Sequence, residues 1–102
     1  MATLLVLYKR PADPAAFDAY YQATHVPLAR ALPGLRRYTL SRGPVAGAAG
    51  DPGLYLVATL DFDSMDALRA ALASPEGQAA AGDLGNFAQA GVELLMFETA
   101  DA

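Results

Sequence analysis

The sequence predicts an α+β fold: a ferredoxin-like βαββαβ sandwich with a four-stranded antiparallel sheet and its helices on one face. Three observations carry this expectation. Four short runs rich in β-formers alternate with helically spaced segments in the order β-α-β-β-α-β. The helical segments open on cap residues, Asp13, Ser64 and Ser74, and proline follows the first and last of these. Three of the four strands carry apolar residues on both faces. The sheet face away from the helices therefore also needs cover, and a second copy packed face to face supplies it, so a homodimer through the sheet face is expected. At 102 residues the chain suits one core, a single domain over 1–102.

The first strand is read at residues 2–9, stopped by Pro11, with Leu5 and Leu7 on one face and Leu4, Val6 and Tyr8 on the other. Asp13-Pro14 opens a helix whose apolar face reads Phe17, Tyr21, Thr24 and Leu28, widened by Tyr20. Val26 precedes a proline, and Pro27 has no N–H for residue 23, so the helix must kink or restart there, beside His25. Pro33-Gly34 ends it. A second strand is read over Leu35–Arg42 with mixed faces, followed by a Gly/Ala/Pro-rich connection over 43–53 without periodicity. Leu54–Phe62 is the third strand, apolar on both faces. Ser64 caps a helix bearing Met65, Leu68 and Leu72, and Ser74-Pro75 starts another. Gly77, Gly82 and Gly85 predict that this last helix is short and irregular, carrying Leu84 and Phe87 inward. Val92–Thr99 is the fourth strand.

Composition narrows the function classes. Hydrophobic residues make up 54% and charged ones 18%, oily for a small monomer and a second reason to expect a covered face. No run approaches the roughly 18 apolar residues of a membrane span, and the start lacks a signal-peptide pattern, so a cytoplasmic protein is expected. There is no cysteine, hence no disulfide and no thiolate metal site. A net charge of −4 argues against a nucleic-acid surface; Arg36, Arg37 and Arg42 are too few to reverse it. No phosphate-binding loop and no serine or cysteine nucleophile motif is present.

His25 is the only histidine. One reading makes it an acid–base group, with Tyr21 four residues earlier on the helix as its hydroxyl partner. The other has it cap the carbonyls that Pro27 frees. Tyr20, Tyr38 and Tyr55 offer hydroxyls that could orient a substrate, or are core residues with their hydroxyls at the rim. Arg37 could bind a carboxylate or phenolate, or simply be solvated at a strand edge. Asp61 and Asp63 read as residues leading into the following helix. No metal site and no cofactor is expected; a haem would need only His25, and nothing else argues for one.

The stretch Phe17-x-x-Tyr20-Tyr21-x-x-x-His25-Val26-Pro27-Leu28, followed by Leu32-Pro33-Gly34-Leu35-x-x-Tyr38, resembles the EthD family, named for ethyl tert-butyl ether degradation. Ser74-Pro75-Glu76-Gly77-Gln78 and Asp83-Leu84-x-Asn86-Phe87 extend the resemblance over nearly the whole chain. The resemblance implies a protomer of the dimeric α/β-barrel superfamily, pairing through its sheet into a barrel. Related barrels include cofactor-independent monooxygenases, isomerase-like proteins, decarboxylases and dehydratases. The expected function is therefore binding of a small hydrophobic or aromatic metabolite, with cofactor-independent oxidoreductase or proton-transfer chemistry at His25 and Tyr21. Tyr20, Tyr38, Tyr55 and Arg37 would contact the substrate. The alternatives are a non-catalytic ligand-binding or accessory protein of a degradation pathway, and a purely structural dimer whose barrel interior is packed solid.

Overall fold

The structure, a computed structural model, describes residues 1–102. Along the chain run β1 (Ala2–Lys9), α1 (Pro14–Tyr20), a π-helical turn (Tyr21–His25), α2 (Val26–Arg30), β2 (Arg37–Leu40), β3 (Leu54–Phe62), α3 (Met65–Ala73), α4 (Pro75–Phe87) and β4 (Val92–Glu98). The strands form one antiparallel sheet in the order β2-β3-β1-β4. With the helices on one face this is the ferredoxin-like plan, a slab of 35 × 34 × 18 Å. Strand β2 is shorter than Leu35–Arg42, although Arg36 and Ser41 still donate backbone bonds to Asp61 and Val57 at its ends.

Even-numbered residues of β1 and β3 point to the helices and make the core floor: Leu4, Val6 and Tyr8 beside Leu60, Ala58 and Phe62 are all buried. The odd-numbered face carries Leu5, Leu7 and Val57, half-buried, with Leu95 and Phe97 of β4 each 41% exposed. No part of this chain covers that face.

The first helical segment departs from the expected stripe in a way that decides the site. Asp13 caps it as read, its carboxylate accepting from Ala16 N–H. The buried positions are then Phe17, Tyr21, His25 and Ala29, while Thr24 is exposed. The Val26 N–H bonds to the Tyr21 carbonyl five residues back, the π register. One extra residue in that turn lengthens the local period from 3.6 to four. The phase shift moves His25 from the flank of the apolar stripe to its centre. Pro27, with no N–H to give, then sits in the first turn of α2, where none is needed.

Helix α4, expected to be short and irregular, is the longest in the chain at 13 residues. Its three glycines are not equivalent. A Cβ on Gly77 would lie 2.1 Å from the Ala71 carbonyl oxygen and 2.6 Å from that of Leu72, where α4 crosses the end of α3. Gly82 faces open space. Gly82→Ala is therefore expected to stabilise the protein by about 0.5–1 kcal/mol through helix propensity. Gly77→Ala gains the same propensity and loses more to backbone displacement, a net destabilisation of about 2 kcal/mol. Paired thermal melts check this; equal shifts in the two variants would refute it.

Candidate active site

The π turn and α4 place a connected set of polar groups in an otherwise aromatic and aliphatic interior. On α4 the buried face is Gly77, Ala80, Asp83 and Phe87. Small residues at its start allow a close approach, and Asp83 meets the turn. The His25 Nδ1 lies 3.0 Å from Asp83 Oδ2, with both residues 6% exposed. The other carboxylate oxygen, Oδ1, accepts from the Tyr20 hydroxyl at 2.6 Å and the Asn86 amide at 3.0 Å. The imidazole packs against the rings of Phe87 and Tyr21, centroids 4.7 and 5.3 Å away. Its Nε2 lies 3.5 Å from the Tyr8 hydroxyl, a long contact. The ring nitrogens are thus directed at Asp83 and Tyr8 and not at the carbonyls beside Pro27.

Electrostatics favours one arrangement of protons. Burial works to raise the Asp83 carboxyl, but hydrogen bonds from Tyr20, Asn86 and His25 outweigh it and hold it below the usual carboxylate range. An ionised carboxylate only accepts, so the proton between the two residues belongs on Nδ1, and Nε2 is the nitrogen that faces Tyr8. Burial pushes the Tyr8 and Tyr21 phenols far above their ordinary value and raises Tyr38 as well. All three stay protonated near neutral pH.

A cavity of about 40 Å³ lies between sheet and helices, with His25, Tyr8, Tyr21 and Tyr38 on its wall and aliphatic side chains elsewhere. That is room for about three waters, or for a small head group.

The structure sorts the sequence-predicted site residues. His25, Tyr21 and Tyr38 come together at the cavity. The Tyr21 hydroxyl pairs with that of Tyr38 at 2.5 Å, however, and the hydroxyl beside His25 is that of Tyr8. Tyr20 lies outside the cavity wall and acts on Asp83. Tyr55 is not on that wall either: its hydroxyl is 2.9 Å from both Asp18 oxygens and its ring stands edge-on to Phe17. Arg37 is exposed and pairs in register with Asp61, on the sheet face away from the cavity. Asp83 and Tyr8 are the functional candidates that reading the residues alone did not single out. Their signals were an acid within the spacing Gly77, Ala80, Asp83, Leu84, Phe87, and a tyrosine on the inward register of β1.

Fold and site together define a small ferredoxin-like domain with a buried imidazole–carboxylate pair beside a largely apolar cavity. Its particular kind follows from the sequence match: residues 9–91 fit the EthD domain, and the chain belongs to the EthD family. An uncharacterized 11.0 kDa protein from the thcB-thcC intergenic region of Rhodococcus erythropolis is 43% identical over 96 residues, 93% of this chain and 91% of that protein. The crystal structure of an EthD family protein from Bacillus halodurans is similar with a TM-score of 0.88 at 35% identity, over 98% of this chain and 99% of that one. SnoaB from Streptomyces nogalater, a cofactor-independent oxygenase, is similar with a TM-score of 0.67 at 26% identity, over 99% of this chain and 94% of its own.

Proposed function

We propose that this chain works in the cytoplasm as a homodimer paired through its open sheet face. It binds a small hydrophobic carbonyl compound or phenol and moves a proton without a cofactor, with His25 as the base. One observation carries the reading: Nδ1 is held by a buried carboxylate at 3.0 Å, which leaves the other imidazole nitrogen to serve the cavity. Taking a proton from an acidic C–H or O–H leaves an anion on the substrate. The hydroxyls of Tyr8, Tyr21 and Tyr38 are the donors for it. In the Tyr21–Tyr38 pair one hydroxyl proton bridges the two oxygens, and the second is free to point at the ligand. The substrate anion either regains a proton at another atom, which isomerises it, or is oxidised directly by dioxygen. The second outcome is the reaction class in the name of SnoaB.

A carrier that shields the same compound without turning it over is the second reading, favoured by the small volume of the cavity, about 40 Å³. Exchange kinetics separate the two. In D₂O the protein is expected to accelerate hydrogen exchange at the carbon between the carbonyls of 2,4-pentanedione, followed by loss of its proton resonance. Binding with exchange at the buffer rate would establish the carrier, and no binding of this dione or of simple phenols would remove both readings.

A further inference from the structure

We infer that the ligand is amphiphilic, with a small acidic head at His25 and a linear aliphatic tail that leaves the protein past Leu94 at the β4 edge. The head rests on the proton-transfer reading above; the tail rests on the lining of the cavity and is tested separately.

The cavity wall is chemically divided by element. Its polar atoms come from β1, the π turn and β2, as Tyr8, Tyr21, His25 and Tyr38. Helices α3 and α4 and strand β4 contribute only glycine and aliphatic groups, chiefly Leu72, Ala81, Leu84 and Leu94. The register gives the direction of the division. Tyr38 pairs with Leu60, Leu60 with Leu4, and the next row runs from Ala58 through Val6 to Leu94. The floor therefore crosses the whole sheet from β2 to β4, three strand spacings or about 14 Å. Tyr8 stands on β1, opposite Val92 of β4, so a ligand head at His25 and Tyr8 meets hydrocarbon in the neighbouring row, from Val6 to Leu94.

That end is open. Leu94 lines the cavity on the helix-facing side of the sheet, yet it is 43% exposed. The proposed homodimer covers the opposite face, where Leu95 and Phe97 point, so pairing does not close this mouth. At about 40 Å³ the interior holds a head group and little more. A longer chain has to run out between Leu84 and Leu94, burying its methylenes against them as it goes.

The test is a homologous series, 2,4-pentanedione through 2,4-decanedione, titrated calorimetrically into the intact protein. Each added methylene is expected to tighten binding about three- to fourfold until the tail reaches solvent. Leu94→Glu, which puts a charge in the mouth, is expected to reduce that gain to below about 1.5-fold per methylene. Leu94→Trp, which narrows the mouth, is expected to shut out the long diones while the short ones still bind. Position 94 is exposed on an edge strand, and circular dichroism confirms that each variant is folded. Affinity that does not change along the series in the unmodified protein, or a slope that survives both substitutions, overturns the tail. If 2,4-pentanedione binds and exchanges without any chain-length dependence, the proton-transfer reading stands and the tail alone falls. If no dione binds, both fall.

Discussion

Asp83→Asn is expected to slow proton transfer about 10²- to 10⁴-fold while the chain still folds. The reason lies in counting donors around the carboxylate. Oδ1 accepts from two groups, Tyr20 and Asn86, and Oδ2 accepts from one, the imidazole. Asparagine has one oxygen and one amide nitrogen. Its oxygen satisfies more donors at the Oδ1 position, which turns the NH₂ toward His25. Nδ1 must then accept, the ring proton moves to Nε2, and the nitrogen facing Tyr8 and the cavity ceases to be a base. Because His25 is the only histidine, one imidazole gives all the ring nitrogen signals, and ¹⁵N shifts read the tautomer directly. The unmodified protein should show the proton on Nδ1, and Asp83→Asn should show it on Nε2. An unchanged rate in Asp83→Asn would remove the carboxylate from the mechanism, and a lost rate with the proton still on Nδ1 would refute the tautomer account.

The same carboxylate gives a pH signature in stability. Its pKa in the folded protein lies below the ordinary value of about 3.9, so ionised Asp83 contributes stability that is fully present above that value. The contribution is lost as pH falls through the unfolded and then the folded pKa. Denaturant midpoints of the two proteins should therefore differ most near neutral pH and converge below about pH 4. Asparagine has no proton to gain there. A constant offset over that range would contradict the assignment.

Much of the fold was legible because it rests on local chemistry. The bounds read for β1 and β3 agree with the observed strands, since both are apolar on two faces and end in turn residues. Asp13, Ser64 and Ser74 cap the helices as their side chains allow, each accepting from an N–H three residues on. The site was harder to read because its parts are set by phase and approach. Nothing in Tyr21–His25 separates a π turn from an α turn locally, yet that choice moves the histidine from flank to core. Gly77 was read as a helix weakener, whereas its role is to let two backbones meet, which is visible only once α3 and α4 are placed. Strand faces explain the rest. Arg37 falls on the odd-numbered side with Asp61, and the register shift beside Tyr8 and Lys9 leaves Tyr55 against Phe17 and Asp18, away from His25.

Charging the open face of the sheet is expected to abolish dimerisation. In sedimentation at micromolar concentration the unmodified protein should appear at twice its chain mass, and the double variant Leu95→Glu/Phe97→Glu at 10.6 kDa. Both side chains are 41% exposed in the protomer, so the fold itself tolerates the change. With Leu5, Leu7 and Val57 they form the apolar strip of a sheet about 14 Å between its outer strands, with central strands of eight and nine residues, on the scale of the roughly 500 Å² per partner that a specific interface needs. A two-fold axis repeats each substitution, so four carboxylates would enter one desolvated patch. The same doubling removes four apolar anchors, which at about 2 kcal/mol each correspond to about a 10⁶-fold rise in Kd before that repulsion is counted. The site provides an internal control, because His25, Asp83 and the three cavity tyrosines lie on the other side of the sheet. The monomer should keep the Nδ1 tautomer and the ability to bind 2,4-pentanedione. A double variant that remains dimeric would place the interface elsewhere, with the unpaired edge of β4 the next surface to charge; a monomer that loses the tautomer would show that pairing holds the two layers together as well as covering one of them.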